Sequence, residues 1–279
     1  MKVLVTGAGG YIGKHVISAL LKKDVQIIAC DLSCSYQDKK ICSINKNILK
    51  EANSSSLYQD IQKPDVVIHL AWQDGFNHSS EFHLSNLYSH YCFLKNMIDS
   101  GCHNINVMGT MHEVGYYEGA INEDTPCTPL SFYGLAKNTL RQAISLYCKK
   151  NSNEVSLKWL RAFYITGDDE RNNSIFTKII EWEKEGKESF PFTDGKNKYD
   201  FISVDKLGEL IAKASLQKQV DGVINICSGN PISLRDKVEE FIANHNFKIR
   251  PQYGAFPSRP YDSPAIWGNT QKLQKILEE

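Results

Sequence analysis

The sequence lacks an excess of charge of either sign, because 32 lysine and arginine residues balance 32 aspartate and glutamate residues. A balanced chain has no overall field to attract nucleic acid or an anionic membrane, so we expect neither as a partner. It also lacks an apolar run that approaches the length of a transmembrane helix. Only Met1 and Lys2 precede the first apolar segment, which leaves no room for a signal peptide. We therefore expect a cytoplasmic protein.

Cysteine pairs of the kind found in zinc and redox sites are missing as well. None of the eight cysteines forms a C-x-x-C pair, so we expect reduced thiols. His78, His83 and His90 are five and seven residues apart on a predicted helix, a spacing that rarely makes a catalytic metal site. We expect no bound metal.

Short β-branched runs alternate with longer amphipathic stretches along the first 160 residues. This alternation predicts an α/β fold with a doubly wound parallel sheet of the Rossmann type. The segment 33–56 shows no clear pattern, and the regularity weakens after about residue 170. We expect residues 1–168, with late elements from about 199–228, to form the nucleotide-binding domain, and residues 169–279 to form mainly a smaller C-terminal substrate-binding lobe. The predicted strands span 2–6, 25–30, 65–69, 105–108 and 155–160, and the predicted helices 11–23, 81–100, 132–150 and 174–186.

The first motif that carries chemistry is a glycine-rich turn between the first strand and the first helix. Its glycines permit a tight turn, a close approach of backbone amides to a pyrophosphate, and close packing of helix on strand. An acid at the end of the second strand, Asp31, can accept hydrogen bonds from both ribose hydroxyls and would repel a 2′-phosphate. The pattern favours NAD, with NADP as the weaker alternative. The residues expected to contact it are Gly7, Gly10, Tyr11, Ile12, Gly13 and Asp31.

The second motif is a tyrosine and a lysine four residues apart, Tyr133 and Lys137. Positions i and i+4 share one face of a helix. The free pKa of tyrosine, near 10, suits proton transfer at neutral pH only if a nearby cation stabilises the phenolate, and Lys137 is placed to be that cation. Such a pair is also common on solvated helix faces, but the preceding glycine loop favours catalysis.

Together these motifs resemble the extended short-chain dehydrogenases/reductases of the NAD-dependent epimerase/dehydratase group. Segments 160–164, 200–205 and 225–229 add to the resemblance, which covers nearly the whole chain. It implies that Asp60 and Ile61 contact adenine, that Leu70, Ala71 and Trp72 lie beneath the dinucleotide, and that Asn86 and Lys137 also contact the cofactor.

The resemblance also implies a catalytic hydroxyl beside Tyr133 and Lys137. Anchoring the pattern on Val114 places this position on Met111, whereas a shift of one residue places it on Thr110, and we assign it to Thr110. Related 4,6-dehydratases carry Thr-Asp-Glu where this chain has Met111-His112-Glu113, so loss of the aspartate argues against dehydration. The residues expected to contact substrate are Thr110, His112, Tyr133, Asn172, Asn173, Ser174 and Arg259.

Within this family, residues 109–141 most resemble enzymes that interconvert a 4-keto-6-deoxy nucleotide sugar, dTDP-linked, and its 4-hydroxy form. A nucleotide-sugar epimerase with tightly bound NAD is the main alternative. A non-catalytic NAD-binding regulator is a third possibility, disfavoured because both Tyr133 and Lys137 are retained. In this family the helices at 81–100 and 132–150 commonly form a dimer interface, so we expect a homodimer.

Overall fold

A computed structural model describes residues 1–151, 154–167, 174–257 and 262–278. The strands in these ranges are β1 (Lys2–Thr6), β2 (Gln26–Asp31), β3 (Ile41–Asn45), β4 (Val66–His69), β5 (Asn104–Thr110), β6 (Gly119–Ile121), β7 (Ser156–Ala162), β8 (Tyr164–Thr166), β9 (Ser189–Pro191), β10 (Lys198–Ser203), β11 (Gly222–Ile226), β12 (Pro231–Ser233), β13 (Arg250–Gln252) and β14 (Ala265–Gly268). The helices are α1 (Tyr11–Leu21), α2 (Leu57–Asp60), α3 (Phe82–Ser85), α4 (Leu87–Asp99), α5 (Phe132–Asn151), α6 (Ile175–Lys184), α7 (Val204–Leu216), α8 (Leu234–Asn244) and α9 (Gln271–Leu277).

The main sheet has seven strands in the order β11-β7-β5-β4-β1-β2-β3, and every neighbouring pair is parallel. The chain runs outward from β1 to β3 and then returns to β4 on the other side of β1. The direction of winding therefore reverses between β1 and β4, which is where open α/β sheets bind ligands. This topology confirms the predicted doubly wound fold.

Helices cover both faces of this sheet, which explains why its central strands are almost continuously apolar. Val3, Leu4 and Val5 in β1 are fully buried. Val3 and Val5 belong to an apolar cluster shared with α1 and α7, whereas Leu4 belongs to a second cluster shared with α4 and α5. The sheet is thus held rigidly between two helical layers. None of the helices in the described ranges is long and apolar enough to span a membrane.

A second sheet lies beyond the carboxyl ends of the main strands. It contains β12, β10, β14 and β6, and β8 also pairs with β10. Because β6 comes from the middle of the chain and β14 from its end, the lobe is interleaved with the first part of the sequence. A separate pair joins β9 to β13. The domain boundary at residue 168 stays a prediction.

Three local features differ from the sequence-based expectations. The helix predicted over 81–100 is two helices, α3 and α4, separated at Asn86. β3 lies inside the segment without a readable pattern. β5 extends to Thr110, two residues beyond the predicted strand, and this extension carries Thr110 to the edge of the sheet where the site forms.

Candidate active site

A cleft of about 930 Å³ opens at the carboxyl ends of the central strands. It brings together most of the residues that the sequence indicated, although they lie far apart along the chain. The predicted site residues that line the cleft are Gly7, Gly10, Tyr11, Ile12, Gly13, Asp31, Leu70, Ala71, Trp72, Thr110, His112, Tyr133, Lys137 and Ser174.

The glycine loop has no space for side chains. Gly7 adopts a φ of +69°, and a Cβ added to it would lie 2.7 Å from the backbone nitrogen of Ala71. A Cβ on Gly13 would lie 2.1 Å from the carbonyl oxygen of Gly7. Since α1 begins at Tyr11 directly after this loop, its free amides face the cleft. This bare backbone cradle fits a dinucleotide pyrophosphate.

Asp31 ties the loop to the end of β2. Its Oδ2 accepts a hydrogen bond from the Gly9 amide at 2.9 Å, and its Oδ1 accepts one from the Leu32 amide at 2.7 Å. An ionised carboxylate has about four lone-pair sites, so both oxygens can still accept bonds from ribose hydroxyls. Asp31 therefore fits the predicted role and disfavours a 2′-phosphate.

Beyond Asp31 the cleft is lined by a turn that the sequence analysis did not assign, while the contact of Asp60 and Ile61 with adenine stays a prediction. Asp60 and Ile61 lie at the end of α2 and do not line the cleft. Asp60 accepts hydrogen bonds from Lys46 at 3.2 Å and from Ser56 at 3.1 Å, and Ile61 is fully buried in the core. The turn after β3, residues 46–49, lines the cleft instead. The β-branched pair Ile41 and Ile44 was the available signal for that strand.

Asn86 does not line the cleft itself but contacts a residue that does. Its side-chain amide donates to Gln73 Oε1 at 3.2 Å, and Gln73 lines the cleft. Ser174 lines the opposite rim and caps α6, where its hydroxyl accepts from the Thr177 amide at 3.3 Å. Asn172, Asn173 and Arg259 lie outside the described residues.

The first turns of α5 deliver Tyr133 and Lys137 to the floor of the cleft. Lys137 is 2% exposed, and its Nζ donates to the carbonyl oxygen of Met108 at 2.7 Å. The same atom lies 3.7 Å from the ring centroid of Trp72 and 6.0 Å from that of Tyr133. Burial lowers the pKa of Lys137 to about 7, while the charge of Glu113 acts in the opposite direction.

Comparison with known proteins agrees with this geometry. The model of the NAD dependent epimerase/dehydratase family matches residues 3–227. The chain belongs to this family.

Individual relatives cover almost the whole chain. It is 45% identical over 270 residues to dTDP-6-deoxy-L-talose 4-dehydrogenase (NAD(+)) of Aggregatibacter actinomycetemcomitans, which covers 96% of this chain and 99% of that protein. It is 24% identical over 286 residues to GDP-6-deoxy-D-talose 4-dehydrogenase of the same organism, covering 99% and 91% of the two chains. UDP-glucuronic acid 4-epimerase from Bacillus cereus, solved with UDP-glucuronic acid and NAD, superposes with a TM-score of 0.83 at 25% identity, covering 100% and 93%.

Tyr133 differs in one respect from the expectation that Lys137 lowers its pKa. Burial raises the pKa of Tyr133 well above its ordinary value, the charge of Glu113 raises it further, and a hydrogen bond with Thr110 lowers it. Lys137 does not offset the burial because its ammonium points to Met108 and Trp72. The phenol is thus neutral, which is the form that can donate a proton.

Of the two alternatives for the family's catalytic hydroxyl, the structure brings Thr110 to Tyr133. Thr110 ends β5 and lines the cleft, and its Oγ1 accepts a hydrogen bond from the His112 amide at 3.3 Å. Met111 is 5% exposed and packs in an apolar cluster with Val114 and Ile121. Because β5 runs on to Thr110, the next side chain turns into the lobe.

Glu113 faces away from the cleft into a buried polar cluster. Its Oε1 accepts hydrogen bonds from Trp159 Nε1 at 2.7 Å and from the Thr110 amide at 2.8 Å. Its Oε2 lies 3.4 Å from Arg161 and 3.5 Å from Arg141. This carboxylate therefore fixes the turn that carries Thr110, and it is not placed to serve as a proton shuttle.

Three imidazole rings surround Tyr133, those of His78, His83 and His112, with centroids 4.9, 5.2 and 6.3 Å from that of the tyrosine. The ring of His78 stacks on Tyr133 with centroids 4.9 Å apart and planes at 17°, and His112 contacts His78 with centroids 4.3 Å apart. Burial lowers the pKa of His112 to about 3, with His78 adding to the effect. Burial and the nearby His83 also lower the pKa of His78. The His78 and His112 rings are neutral donors and acceptors at the wall of the cleft. In the part of the chain described, no three His, Cys, Asp or Glu side chains are grouped to hold a metal.

Proposed function

We propose that this protein is an NAD-dependent oxidoreductase that interconverts a dTDP-linked 4-keto-6-deoxy nucleotide sugar and its 4-hydroxy form. The convergence of Thr110, Tyr133 and Lys137 beside the glycine loop, in one cleft, carries the proposal. The 45% identity to a dTDP-6-deoxy-L-talose 4-dehydrogenase along nearly the full length of both chains supports the choice of substrate class.

The cofactor site is assigned as follows. The backbone of residues 7–13 is proposed to hold the pyrophosphate and Asp31 to accept from the adenosine ribose, and residues 46–49 line the end of the cleft proposed for the adenine. Asp60 and Ile61 stay the predicted adenine contacts, and Asn86 a predicted cofactor contact. Leu70, Ala71 and Trp72 lie beneath the nicotinamide half. When bound here, NAD supplies the carrier that accepts or releases hydride.

The protein's part of the reaction is proton transfer and charge stabilisation. In the reductive direction Tyr133 donates its phenolic proton to the C4 oxygen as that oxygen gains negative charge, and in the oxidative direction the phenolate takes the proton back. Thr110 donates a hydrogen bond to the same oxygen and orients it. Lys137 Nζ lies 6.0 Å from the centroid of the Tyr133 ring, and over this distance its positive charge is proposed to favour the phenolate that remains after proton donation.

Substrate contacts are proposed around this centre. His112 and Ser174 line the cleft on the side of the second sheet, where they can contact the sugar and its diphosphate. Asn172, Asn173 and Arg259 are proposed to bind the diphosphate, and these three assignments stay predictions.

A nucleotide-sugar 4-epimerase is the second candidate. The superposition on an epimerase at a TM-score of 0.83 favours it, and Tyr133 and Lys137 would serve both reactions. The two reactions differ in the fate of the hydride. A reductase consumes NADH, whereas an epimerase returns the hydride to the other face of the sugar and shows no net turnover of cofactor.

The test is absorbance of reduced nicotinamide after mixing the protein with NADH and a dTDP-4-keto-6-deoxyhexose, with NADPH in parallel. Loss of absorbance that Tyr133→Phe abolishes is expected, since the variant lacks only the phenolic hydroxyl. Tyr116→Phe is the matched control, because Tyr116 is 50% exposed and does not line the cleft. A changed sugar on chromatography without loss of absorbance would instead identify the epimerase. No change in either readout would overturn the proposed substrate class.

Assembly and location extend the proposal. Tyr88 on α4 is 69% exposed, and Leu135 and Leu146 on α5 are 43% and 67% exposed, which supports burial of this face in a homodimer. Sedimentation of Leu146→Glu as a monomer, with the unaltered protein as a dimer, is the expected result. All eight cysteines are free thiols, which supports a location in the reducing cytoplasm.

A further inference from the structure

The indole ring of Trp72 lies between a histidine and the site lysine. The Lys137 ammonium lies 3.7 Å from the ring centroid. The His90 ring stacks on the indole with centroids 4.3 Å apart and planes at 15°. Both groups contact the face of the ring, where the negative end of its quadrupole attracts a cation.

A chain of hydrogen bonds fixes the indole in this position. Trp72 Nε1 donates to His83 Nδ1 at 3.0 Å, and His83 Nε2 lies 2.8 Å from the carbonyl oxygen of Asn77. A carbonyl can only accept, so His83 carries its proton on Nε2 and its Nδ1 is the acceptor that Trp72 needs. His83 is 1% exposed, so water cannot readily replace it.

His90 is fixed in the same manner from the other side. The Ala71 amide donates to Thr6 Oγ1 at 3.2 Å, so the Thr6 hydroxyl is free to donate to His69 Nδ1 at 2.8 Å. His69 Nε2 lies 2.9 Å from His90 Nδ1, and a hydrogen bond joins the two rings. Burial, together with the charge of Lys137, lowers the pKa of His69 to about 3. The whole chain is therefore uncharged, and it holds the His90 ring against Trp72.

Few other groups support the charge of Lys137. Within the described ranges no carboxylate forms an ion pair with it, and its hydrogen-bond acceptor is the Met108 carbonyl. The charged and titratable groups that face it are Glu113 after β5, which favours the ammonium, His69 and His90 from β4 and α4, and Tyr133 on its own helix. The histidines and the tyrosine are neutral, and the indole face at 3.7 Å is closer to the ammonium than the Tyr133 ring at 6.0 Å.

We propose that Trp72 is a positioning residue that keeps the Lys137 ammonium charged and holds it at the floor of the cleft, 6.0 Å from the centroid of the Tyr133 ring. The catalytic meaning of this contact rests on the proposed function, in which the ammonium serves Tyr133. The contact matters because burial already lowers the pKa of Lys137 to about 7, where charged and neutral forms are balanced at neutral pH. A desolvated cation–π contact changes that balance by about tenfold.

The test measures Lys137 directly, without turnover. Lysine labelled with 13C at Cε is followed by NMR against pH in Trp72→Leu, Trp72→Phe and the unaltered protein, and Lys137→Met identifies the resonance. We expect the pKa of Lys137 to fall by about one unit in Trp72→Leu, which has no ring, and by less in Trp72→Phe, which keeps a weaker one. Trp182→Leu is the matched control, since Trp182 contacts the exposed Lys187 at 5.0 Å, away from the cleft.

Two further readouts separate positioning from cofactor contact and from folding. The alkaline limb of the pH profile of kcat is expected to move to lower pH in step with the NMR titration. An unchanged Lys137 titration in folded Trp72→Leu, with weakened NADH binding, would show that Trp72 contacts the cofactor only and would overturn the inference. If Trp72→Leu does not fold, Trp72→Phe decides, because an unaltered titration there has the same meaning. Failure of the sugar assay would leave this titration valid, so the two proposals fail separately.

Discussion

Glu113 offers the sharpest test of how the site is held. Replacing it by glutamine keeps the shape of the side chain but removes the negative charge opposite Arg161 and Arg141. Glu113 and Arg161 are fully buried, so the guanidinium cannot recover its lost partner from water. We expect Glu113→Gln to destabilise the folded protein strongly.

The size of the effect follows from the contacts. Leaving a buried charge without its partner costs about 3–5 kcal/mol. A glutamine oxygen in the position of Oε1 can keep both donors, Trp159 at 2.7 Å and the Thr110 amide at 2.8 Å, so the whole cost comes from the lost charge at Oε2. For a chain of this size each kcal/mol lowers Tm by roughly 2–4 °C, so we expect a fall in Tm of about 10 °C or more.

Thermal unfolding followed by circular dichroism measures this directly. Glu118→Gln is the matched control, because Glu118 is exposed and lies only five residues further on, and its Tm should not change. A Tm for Glu113→Gln equal to that of the control would refute the reasoning, since it would mean that the guanidiniums do not depend on this carboxylate.

Three more predictions concern the cleft. Gly13→Ala should weaken NADH binding by at least about tenfold in calorimetry, because the added Cβ would lie 2.1 Å from the Gly7 carbonyl oxygen, and such overpacking costs about 1–3 kcal/mol; Gly75→Ala, which meets nothing within 4 Å, should bind normally. Leu49→Asp, at a partly buried position that lines the cleft, should weaken NADH binding through a charge against the adenine, and unchanged affinity would contradict the placement of residues 46–49. Lys137→Met should unfold at higher urea than the unaltered protein at pH 7. Since the folded pKa of Lys137, about 7, lies below the unfolded value of 10.5, the unfolded chain binds more protons between these values, and the advantage of the variant should shrink as pH rises from 7 toward 10.

The parts of the site that could be predicted from the sequence are those whose residues lie close together along the chain. The glycine loop lies within eight residues between a strand and a helix, and Tyr133 and Lys137 are one helical turn apart. Local spacing therefore carries their geometry. The partners of Glu113 lie 46 and 48 residues away in β7, and no local pattern can reveal such a contact.

The turn at residues 46–49 could not be predicted for a different reason. β3 is the edge strand of the sheet and is only partly buried, so its sequence lacks the continuous apolar run of the central strands. Without that strand, no pattern in the sequence placed the turn at residues 46–49 beside the cleft. The break between α3 and α4 could not be predicted either, because the apolar residues on the two sides of Asn86 keep the spacing of a single helix.

The close approach of Gly7 to Ala71 has a consequence for the order of folding and binding. These two backbones touch only when β4 lies beside β1. A dinucleotide can therefore be held only by a chain whose sheet is closed at its centre. The ligand stabilises the finished fold in proportion to the logarithm of its concentration, but it cannot guide the early steps. Protection by NAD against proteolysis would thus report that the central strands have paired, because NAD binds and stabilises only that state.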